Sequence, residues 1–464
     1  MLRFYDNDRD FGRRDFLRIG GLGLGGTLLA PYANSLVAAD GGLPLTGKSV
    51  VFVFMHGGPS QIETFDPKMD MPAEIRSATG EVSTKLPGIT FGGTFPKLAQ
   101  LADKMSIVRS FRTGDGNHDI KPIVGKNTFG ANLGSIYSRV AGTNNPENGM
   151  PRNIALFPRS VDPERMPRIE NFGKFDATGT IGSAYAPFIP GSGGDMQDNM
   201  KLKLPMDRID DRRSLLTYLD SVRWSLENSS PDKVDLLRSQ AFDTILGGVV
   251  DAFDLSKESP KTLARYDTAP LVKPQDISRS WNNYERYVDN SKTLGKLMLL
   301  ARRLCERGCG FVSVTTNFVW DMHADVNNAG MDEGMRYMGV PFDHAISAFI
   351  EDVHERGLQN DILLVCCGEM GRTPRINAKG GRDHWGNLSP LMLSGGGLNM
   401  GQVIGQSKRD ASEPLTEPYG IQELLATILH TQFDVGKLRL VGSLPNEITR
   451  TMASWKPIDG LFAT

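Results

Sequence analysis

The 464-residue chain lacks several features that would point to particular classes of protein. It has four cysteines, too few for the dense disulfide framework of a small secreted domain. Its formal charge of −2 gives no basic face for nucleic acid. No apolar run is long enough to span a bilayer, and no repeat of solenoid period occurs. With 51 glycines and 27 prolines, the sequence instead indicates a loop-rich globular protein.

The four cysteines are expected to be buried thiols. Cys366 and Cys367 are adjacent in a predicted strand, so their side chains point to opposite faces. Cys305 and Cys309 lie around the end of a predicted helix, where a bridge between them is the alternative.

Residues 1–39 are predicted to form a twin-arginine signal peptide. Residues 13–18 read RRDFLR, a twin-arginine consensus, and Ile19 to Ala30 is a short apolar run diluted by glycine. Val37, Ala38 and Ala39 are small enough for cleavage at about Ala39. We therefore expect export by the twin-arginine machinery to the periplasm, the cell envelope or the medium, without a stable membrane span. A cytoplasmic protein with a fortuitous leader is the alternative.

Apolar segments alternate with amphipathic ones along the rest of the chain. The predicted strands are Ser49–Met55, Met105–Val108, Asn153–Phe157, Phe311–Thr316, Asp361–Cys367 and Leu391–Ser394. The predicted helices are Pro96–Asp103, Gly134–Ala141, Ser291–Arg307, Met335–Arg356 and Ile421–His430. This alternation predicts an α/β fold, a three-layer α/β/α sandwich with a largely parallel central sheet, formed by residues 40–464 as one domain.

One segment interrupts that alternation. Pro158 to Met206 has no periodicity, and Asp207 to Ser229 and Asp232 to Phe253 are predicted to be amphipathic, charge-rich helices. Residues 158–290 are therefore interpreted as a helical insertion, within which Pro158 to Met206 serves as a lid or as a partner surface.

Polar side chains cluster just after four of the predicted strands. The clusters are His56 to Asp66, Arg109 to His118, Asp321 with His323, and Glu369 to His384. Because the carboxyl ends of parallel strands share one edge of a sheet, these clusters are expected to converge. Carboxylates and imidazoles together are suitable ligands for a divalent metal, which predicts a Zn, Mn, Mg or Ca site.

Four motifs carry a resemblance to a known family. HGGPSQIETFDPK, WDMH, GEMGRTP and GRDHW together resemble the exported bacterial family called domain of unknown function 1501, which is grouped with the alkaline phosphatase and sulfatase superfamily. The resemblance covers roughly Lys48 to His430. It implies an alkaline-phosphatase-like fold with two metal positions, and a Ser, Thr or modified Cys nucleophile at a helix start. It further implies Asp321, His323 and His384 as ligands of the first metal and Glu369 as a ligand of the second.

The sequence departs from the superfamily pattern in two places. The first strand delivers His56, Gly57 and Gly58 where the pattern has an aspartate. The segment expected to present the nucleophile, residues 116–119, reads GNHD and contains no serine, threonine or cysteine. Asn117 and His118 are therefore the catalytic candidates there, and His118 is either a metal ligand or a nucleophile. The nearby hydroxyl alternatives are Ser60, Ser110 and Thr113.

The sequence thus predicts a set of metal ligands and a set of catalytic residues. The predicted ligands are His56, Asp321, His323, Glu369, Asp383 and His384. The predicted catalytic residues are Asn117, His118 and Arg372, with Arg372 as an anion clamp because its planar fork fits phosphate or sulfate.

Structural alternatives exist for several of these residues. For Asp321 and His323, the alternative is a strand-end turn in which Asp321 caps the backbone and His323 packs on Trp320. For Glu369 and Arg372, it is an ion pair that closes a loop, and for His56 it is a role that only fixes the turn. Asp343, His344, Glu351 and His354 are interpreted as a solvated helix face, since a di-iron site would need a second Glu-x-x-His pair.

The leading functional hypothesis is an exported metal-dependent hydrolase of the sulfatase or phosphatase type. Its expected substrate is a small anionic ester or a sulfated or phosphorylated glycan. The alternative is a non-catalytic envelope protein that retains the fold, with or without a structural metal.

Overall fold

A computed structural model describes residues 4–6, 9–11, 43–191, 249–438, 442 and 444–462. The proposed signal peptide lies outside these residues, except for the short antiparallel strands Phe4–Asp6 and Arg9–Phe11. The helix expected at Asp207 to Ser229, and all but the end of the one expected at Asp232 to Phe253, also lie outside them.

Seven strands form the central sheet. They are β1 Ser49–Phe54, β2 Ser106–Val108, β3 Asn153–Leu156, β4 Phe311–Val314, β5 Ile362–Cys367, β6 Leu391–Gly395 and β7 Gln402–Ile404. Their order across the sheet is β7-β2-β6-β5-β1-β4-β3, and β6 runs antiparallel to both of its neighbours while the other pairs are parallel. In the sheet centre, Val51 of β1 pairs with Leu364 of β5 and Val312 of β4. The prediction of a largely parallel sheet is confirmed.

Helices cover both faces of this sheet. They are α1 Gln61–Thr64, α2 Pro96–Gln100, α3 Leu133–Ala141, α4 Val250–Phe253, α5 Pro260–Tyr266, α6 Tyr284–Glu306, α7 Met331–Glu355, α8 Ile421–Gln432, α9 Val435–Leu438 and α10 Asn446–Ser454. Val51 and Val53 of β1 belong to one hydrophobic core with α6 and α7. Val50 and Phe52 belong to a second core with α3 and α8. Because alternate side chains of a strand face opposite sides, β1 is buried on both faces, and the three-layer architecture is confirmed.

The two long helices begin earlier than their apolar periodicity predicts. Helix α6 begins at Tyr284, within the segment assigned to the insertion, and α7 begins at Met331. The first turns of α6 carry polar residues that tertiary contacts bury. Asn290 accepts a hydrogen bond from the Thr316 hydroxyl at 2.7 Å, and Asp289 accepts one from the Met166 amide at 3.0 Å. In a sequence, polar residues that are buried by such contacts cannot be distinguished from the polar residues of a solvated loop.

Two further observations bear on the expectations from composition. All four cysteines are free and buried, as predicted. Among the described helices, none combines the length and the apolarity needed to cross a membrane.

Candidate metal centre and adjoining pocket

Four side chains from three separate segments bring their ligand atoms together at the carboxyl edge of the sheet. One ligand atom from each of His118, Asp321, His323 and His384 lies within 4.8 Å of the others. Asp321 and His323 follow β4, and His118 lies on the long connection after β2. His384 is held by a two-residue ladder in which Arg372 pairs with His384 and Gly371 with Trp385.

Three of these groups are especially close. Asp321 Oδ1 lies 2.7 Å from His323 Nε2 and 3.3 Å from His384 Nε2, and the two Nε2 atoms are 2.7 Å apart. His118 Nε2 is farther, 3.5 Å from Asp321 Oδ1. In a tetrahedral zinc site with bonds of about 2.0 Å, the ligand atoms are about 3.3 Å apart. The distances in this group, from 2.7 to 3.5 Å, lie on both sides of that value, so its side chains can share one metal ion.

Two carboxylates orient the histidines of this cluster. His118 Nδ1 lies 3.0 Å from Glu369 Oε1, and His323 Nδ1 lies 3.3 Å from Asp383 Oδ1. An ionised carboxylate only accepts hydrogen bonds, so each Nδ1 carries the proton and each Nε2 presents its lone pair to the centre. Carboxylates placed in this way behind histidine ligands are common in metal sites.

The charge state of the centre follows from burial and neighbouring charges. Burial alone would raise the pKa of Asp321, but the charge of the Arg372 guanidinium and the neighbouring His323 and His384 imidazoles hold that pKa well below its usual range. Burial lowers the pKa of His118 to about 4 and also lowers the pKa of His384. At neutral pH, Asp321 is therefore ionised and His118 is neutral, which are the forms that metal binding and proton acceptance require.

Arg372, the predicted anion clamp, is fully buried and bonded to the chain itself. Its Nε donates to Gly58 O at 2.7 Å, and its Nη2 donates to Gly57 O and, at 2.6 Å, to Asp321 Oδ1. Its Nη1 lies 3.2 Å from Arg382 O. With all three nitrogens engaged, the guanidinium fixes Asp321 and the β1 turn instead of facing the pocket.

Glycine at position 57 is what allows this turn to approach Asp321. Gly57 has φ +114°, and a Cβ there would lie 2.5 Å from the Asp321 amide nitrogen. The glycines after β1 therefore bring the turn against the segment that carries the candidate ligands.

Glu369 and His56 lie next to the cluster but outside it. Glu369 is completely buried, and its Oε1 accepts a hydrogen bond from Gly57 N at 2.8 Å as well as from His118. Burial raises the pKa of Glu369 to about 6 and lowers that of His56 to about 4. The His56 ring packs edge-on against Phe172 and Phe318. Within the described part of the chain, a single group of three or more such side chains gathers its ligand atoms closely, and the second metal position implied by the resemblance stays a prediction.

The remaining predicted residues are more exposed. The Asp383 side chain is 62% exposed and contacts His323 and Asn377. Asn117 is exposed, and its backbone N–H donates to Asp115 Oδ1 at 2.8 Å. The structure does not bring these two side chains into the group of ligand atoms.

The hydroxyl nucleophile candidates are also outside the cluster. Ser60 caps α1 and donates to Glu63. Ser110 is completely buried, and Thr113 lies 3.5 Å from Asp115 O.

A buried ion pair that the sequence analysis did not identify supports the loop before His384. Glu63 and Arg382 are both completely buried, and their side chains approach to 2.9 Å. Arg382 also donates to the carbonyl groups of Ile75 and Pro374. Ser60 and Glu63 have the spacing of a helix capping box, but nothing in the sequence links Glu63 to Arg382.

A pocket of ≈ 290 Å³ adjoins the cluster, with His118 and Asp321 in its wall. Its wall also contains the apolar residues Ile169, Phe172 and Phe318 and the polar residues Asn171, Asn283, Arg286, Asn327 and Asn328. Ile169 and Phe172 come from the irregular segment after Pro158, so that segment contributes to the pocket. Apart from His118 and Asp321, the sequence analysis missed the residues of the pocket wall, because they are of ordinary types and come from separate segments.

The fold and the site define an α/β/α protein with a candidate metal centre at the strand ends of a largely parallel sheet. Residues 47–439 match the family described as Protein of unknown function (DUF1501), and the chain belongs to that family. The suspected family is thus confirmed. No curated protein matches the chain in sequence.

Several solved structures are similar to this chain over most of its length. The PsFucS1 sulfatase from Pseudoalteromonas sp. has 11% identity and a TM-score of 0.36, covering 89% of this chain and 70% of that one. The lipoteichoic acid synthase LtaP from Listeria monocytogenes has 9% identity and a TM-score of 0.33, with 82% and 71% covered. A phosphonate monoester hydrolase from Silicibacter pomeroyi has 11% identity and a TM-score of 0.26, with 83% and 73% covered. At these TM-scores, the matches support no conclusion about the activity of this chain.

Proposed function

We propose that this protein is an exported metal-dependent hydrolase that cleaves a phosphate or sulfate ester. The observation that carries the proposal is the group formed by Asp321 Oδ1, His323 Nε2 and His384 Nε2 beside a pocket. Three protein ligands with an adjacent open position are typical of catalytic metal sites, whereas structural sites usually have four protein ligands.

The ligand set favours particular metals. Two imidazoles and one carboxylate suit Zn better than Mg, Ca or Mn, which prefer oxygen ligands. When bound, such a metal supplies a Lewis acid that polarises an ester oxygen. Arg372 and Asn328 hold the two oxygens of Asp321, at 2.6 and 3.3 Å, and so fix the carboxylate in place.

His118 is proposed to move the proton. Its Nδ1 donates to Glu369, so its Nε2 is free to accept a proton from the attacking water as the water oxygen bonds to the phosphorus or sulfur. The ester bond breaks in the same step, and the leaving alkoxide takes up a proton from solvent. Direct attack by water is favoured over a covalent intermediate, because the pocket wall contains no serine, threonine or cysteine among the described residues.

Export remains part of the proposal. The twin-arginine consensus at residues 13–18 lies outside the described residues, and the twin-arginine route carries proteins that are already folded. A protein that acquires its metal before crossing the membrane suits that route. We propose a periplasmic, envelope or extracellular location, with residues 40–464 as the mature domain.

The test is elemental analysis of the exported protein combined with turnover of a panel of phosphate and sulfate esters. Asp321→Asn and His384→Ala are expected to lose the metal. His118→Ala is expected to keep it and to lose turnover by about 10²- to 10⁴-fold. His354→Ala, which replaces a histidine of α7 outside the cluster, is the matched control. Unchanged metal content in both ligand variants would contradict the proposal.

The second candidate is a non-catalytic envelope protein that binds a ligand in this pocket. It is favoured by the same lack of a hydroxyl or thiol nucleophile in the described pocket wall. Turnover that disappears in His384→Ala excludes it, whereas metal binding without turnover of any ester in the panel supports it.

A further inference from the structure

The wall of the pocket contains a guanidinium, that of Arg286, which has no partner among the described residues. Arg286 lies in the first turn of α6 and is half-buried. Its side chain makes no hydrogen bond and no ion pair with any residue that the structure describes. Burial lowers the pKa of Arg286, and the charge of Asp289 opposes that effect. Asp289 itself lies 3.6 Å from Arg165 and accepts hydrogen bonds from Met166 and Asn317.

An unpaired, half-buried guanidinium is unusual because removing a charge from water without a partner is costly. The other arginines near the centre have partners. Arg372 donates to Asp321 and to carbonyl groups, and Arg382 pairs with Glu63. Arg286 is therefore the arginine of this region that remains free to bind a ligand.

The surroundings of Arg286 place it next to the proposed reaction centre. It shares the pocket wall with His118 and Asp321, and its charge is close enough to lower the pKa of His56. Asn328 connects the two regions, since its side chain donates to Asp321 Oδ2 at 3.3 Å and accepts from Asn283 at 2.7 Å.

We propose that Arg286 recognises the anionic group of the substrate, the role that the sequence analysis gave to Arg372. The inference rests on the proposed function. A guanidinium binds two oxygens of a phosphate or sulfate at once, which orients the group as well as attracting it.

The apolar part of the lining indicates what else the substrate carries. Phe172 and Phe318 stack with ring centres 4.4 Å apart, and Ile169 continues the apolar surface. A pocket of ≈ 290 Å³ is small for a ligand site, so it accommodates about one ring. The substrate class that fits is a sulfated or phosphorylated sugar, with the ring against Phe172 and the anion on Arg286.

Calorimetric titration of inorganic sulfate and of inorganic phosphate into metal-loaded and metal-free protein tests the inference. Arg286→Met is expected to weaken anion binding by about 10- to 100-fold, the usual loss for a hydrogen bond to a charged group. Arg286→Lys is expected to recover part of it, because lysine keeps the charge but not the fork. Arg279→Met removes an exposed arginine that lies over the Tyr284 ring and is the matched control.

The outcomes separate this inference from the proposed function. Anion affinity in Arg286→Met equal to that of the wild type or of Arg279→Met would overturn the inference, as would wild-type protein that binds neither anion. A third outcome is that the wild type holds no metal but binds the anions, and that only the Arg286 variants lose this binding. That outcome would overturn the hydrolase proposal and support this one. Metal content is expected to be the same in Arg286→Met as in the wild type.

Discussion

The buried pair of Glu63 and Arg382 allows a sharp test of how the candidate site is held together. Both side chains are completely buried, and the Arg382 Nε lies 3.0 Å from Glu63 Oε2 while its Nη2 lies 2.9 Å from Oε1. Arg382 immediately precedes Asp383 and His384 in the chain. Glu63→Gln keeps the shape of the side chain but leaves the Arg382 charge buried without its counter-ion.

Removing one partner of a buried ion pair costs about 3 to 5 kcal/mol. The whole domain is expected to have a free energy of unfolding of about 5 to 15 kcal/mol, so the variant should fold but be clearly destabilised. In the double variant Glu63→Gln/Arg382→Met, no charge is left unpaired. Its loss is therefore expected to be smaller than the sum of the two single losses.

The assay is denaturant unfolding at neutral pH, with metal content measured on the same samples. Arg375→Met is the matched control, because Arg375 and Glu74 form a pair at 3.7 Å in the same region with side chains 72% and 46% exposed. Such an exposed pair contributes less than about 1 kcal/mol. If Glu63→Gln loses no more stability than Arg375→Met, the reasoning is refuted. We also expect Glu63→Gln to lower metal affinity, since it loosens the loop that carries His384.

Three further predictions concern the turn after β1 and the residues behind the cluster. Glu369→Gln is expected to lower turnover by about 10- to 100-fold without loss of metal, because it weakens the hold on His118; loss of metal would instead make Glu369 a ligand. Because the pKa of His56 is about 4 in the folded protein, the wild type should lose roughly 2 kcal/mol of its free energy of unfolding from this group as the pH falls from 7 to 4.5. The free energy of unfolding of His56→Phe should fall by that much less over the same range. Equal pH dependence of unfolding in the two proteins would refute this. Gly57→Ala is expected to displace the Asp321 backbone and reduce metal content, and wild-type metal content in that variant would contradict the close approach.

The sign of the His56 prediction follows from proton binding. The unfolded histidine has a pKa near 6.5, so between about pH 4 and 6.5 the unfolded chain binds more protons than the folded one. Stability from this group is therefore complete above that range and is lost as the pH falls through it. Glu369 acts in the opposite direction, because burial raises its pKa to about 6 in the folded state. Since the charges of His56 and Glu369 influence each other's pKa, comparison with the variant reports the histidine together with its effect on Glu369.

The strands of the central sheet could be predicted well from the sequence. The segments around β1 and β5 are uninterrupted apolar runs, and such runs occur where both faces of a strand are covered. Runs of this kind also determine where the polar residues at their ends must lie. The approach of Asp321, His323 and His384 was therefore predictable from the positions of the strand ends and from the resemblance to the family.

The individual roles of the polar residues could not be predicted in the same way. Glu369, Asp383 and Arg372 have the residue types of metal ligands and an anion clamp, yet each contacts another side chain of the site: Glu369 contacts His118, Asp383 contacts His323, and Arg372 contacts Asp321. A carboxylate that binds a metal and one that orients a histidine look the same in a sequence. Only distances and burial distinguish them.

The sequence by itself determined the order of strands and helices, the parallel sheet that this order requires, and the edge at which histidines and carboxylates collect, because hydrophobic periodicity is a local property of the chain. The tertiary structure decided which atoms face the centre, which charges are paired, and that Arg286 lies unpaired in the pocket. Those outcomes depend on contacts between segments hundreds of residues apart, such as the pair of Glu63 and Arg382, and no local pattern records them.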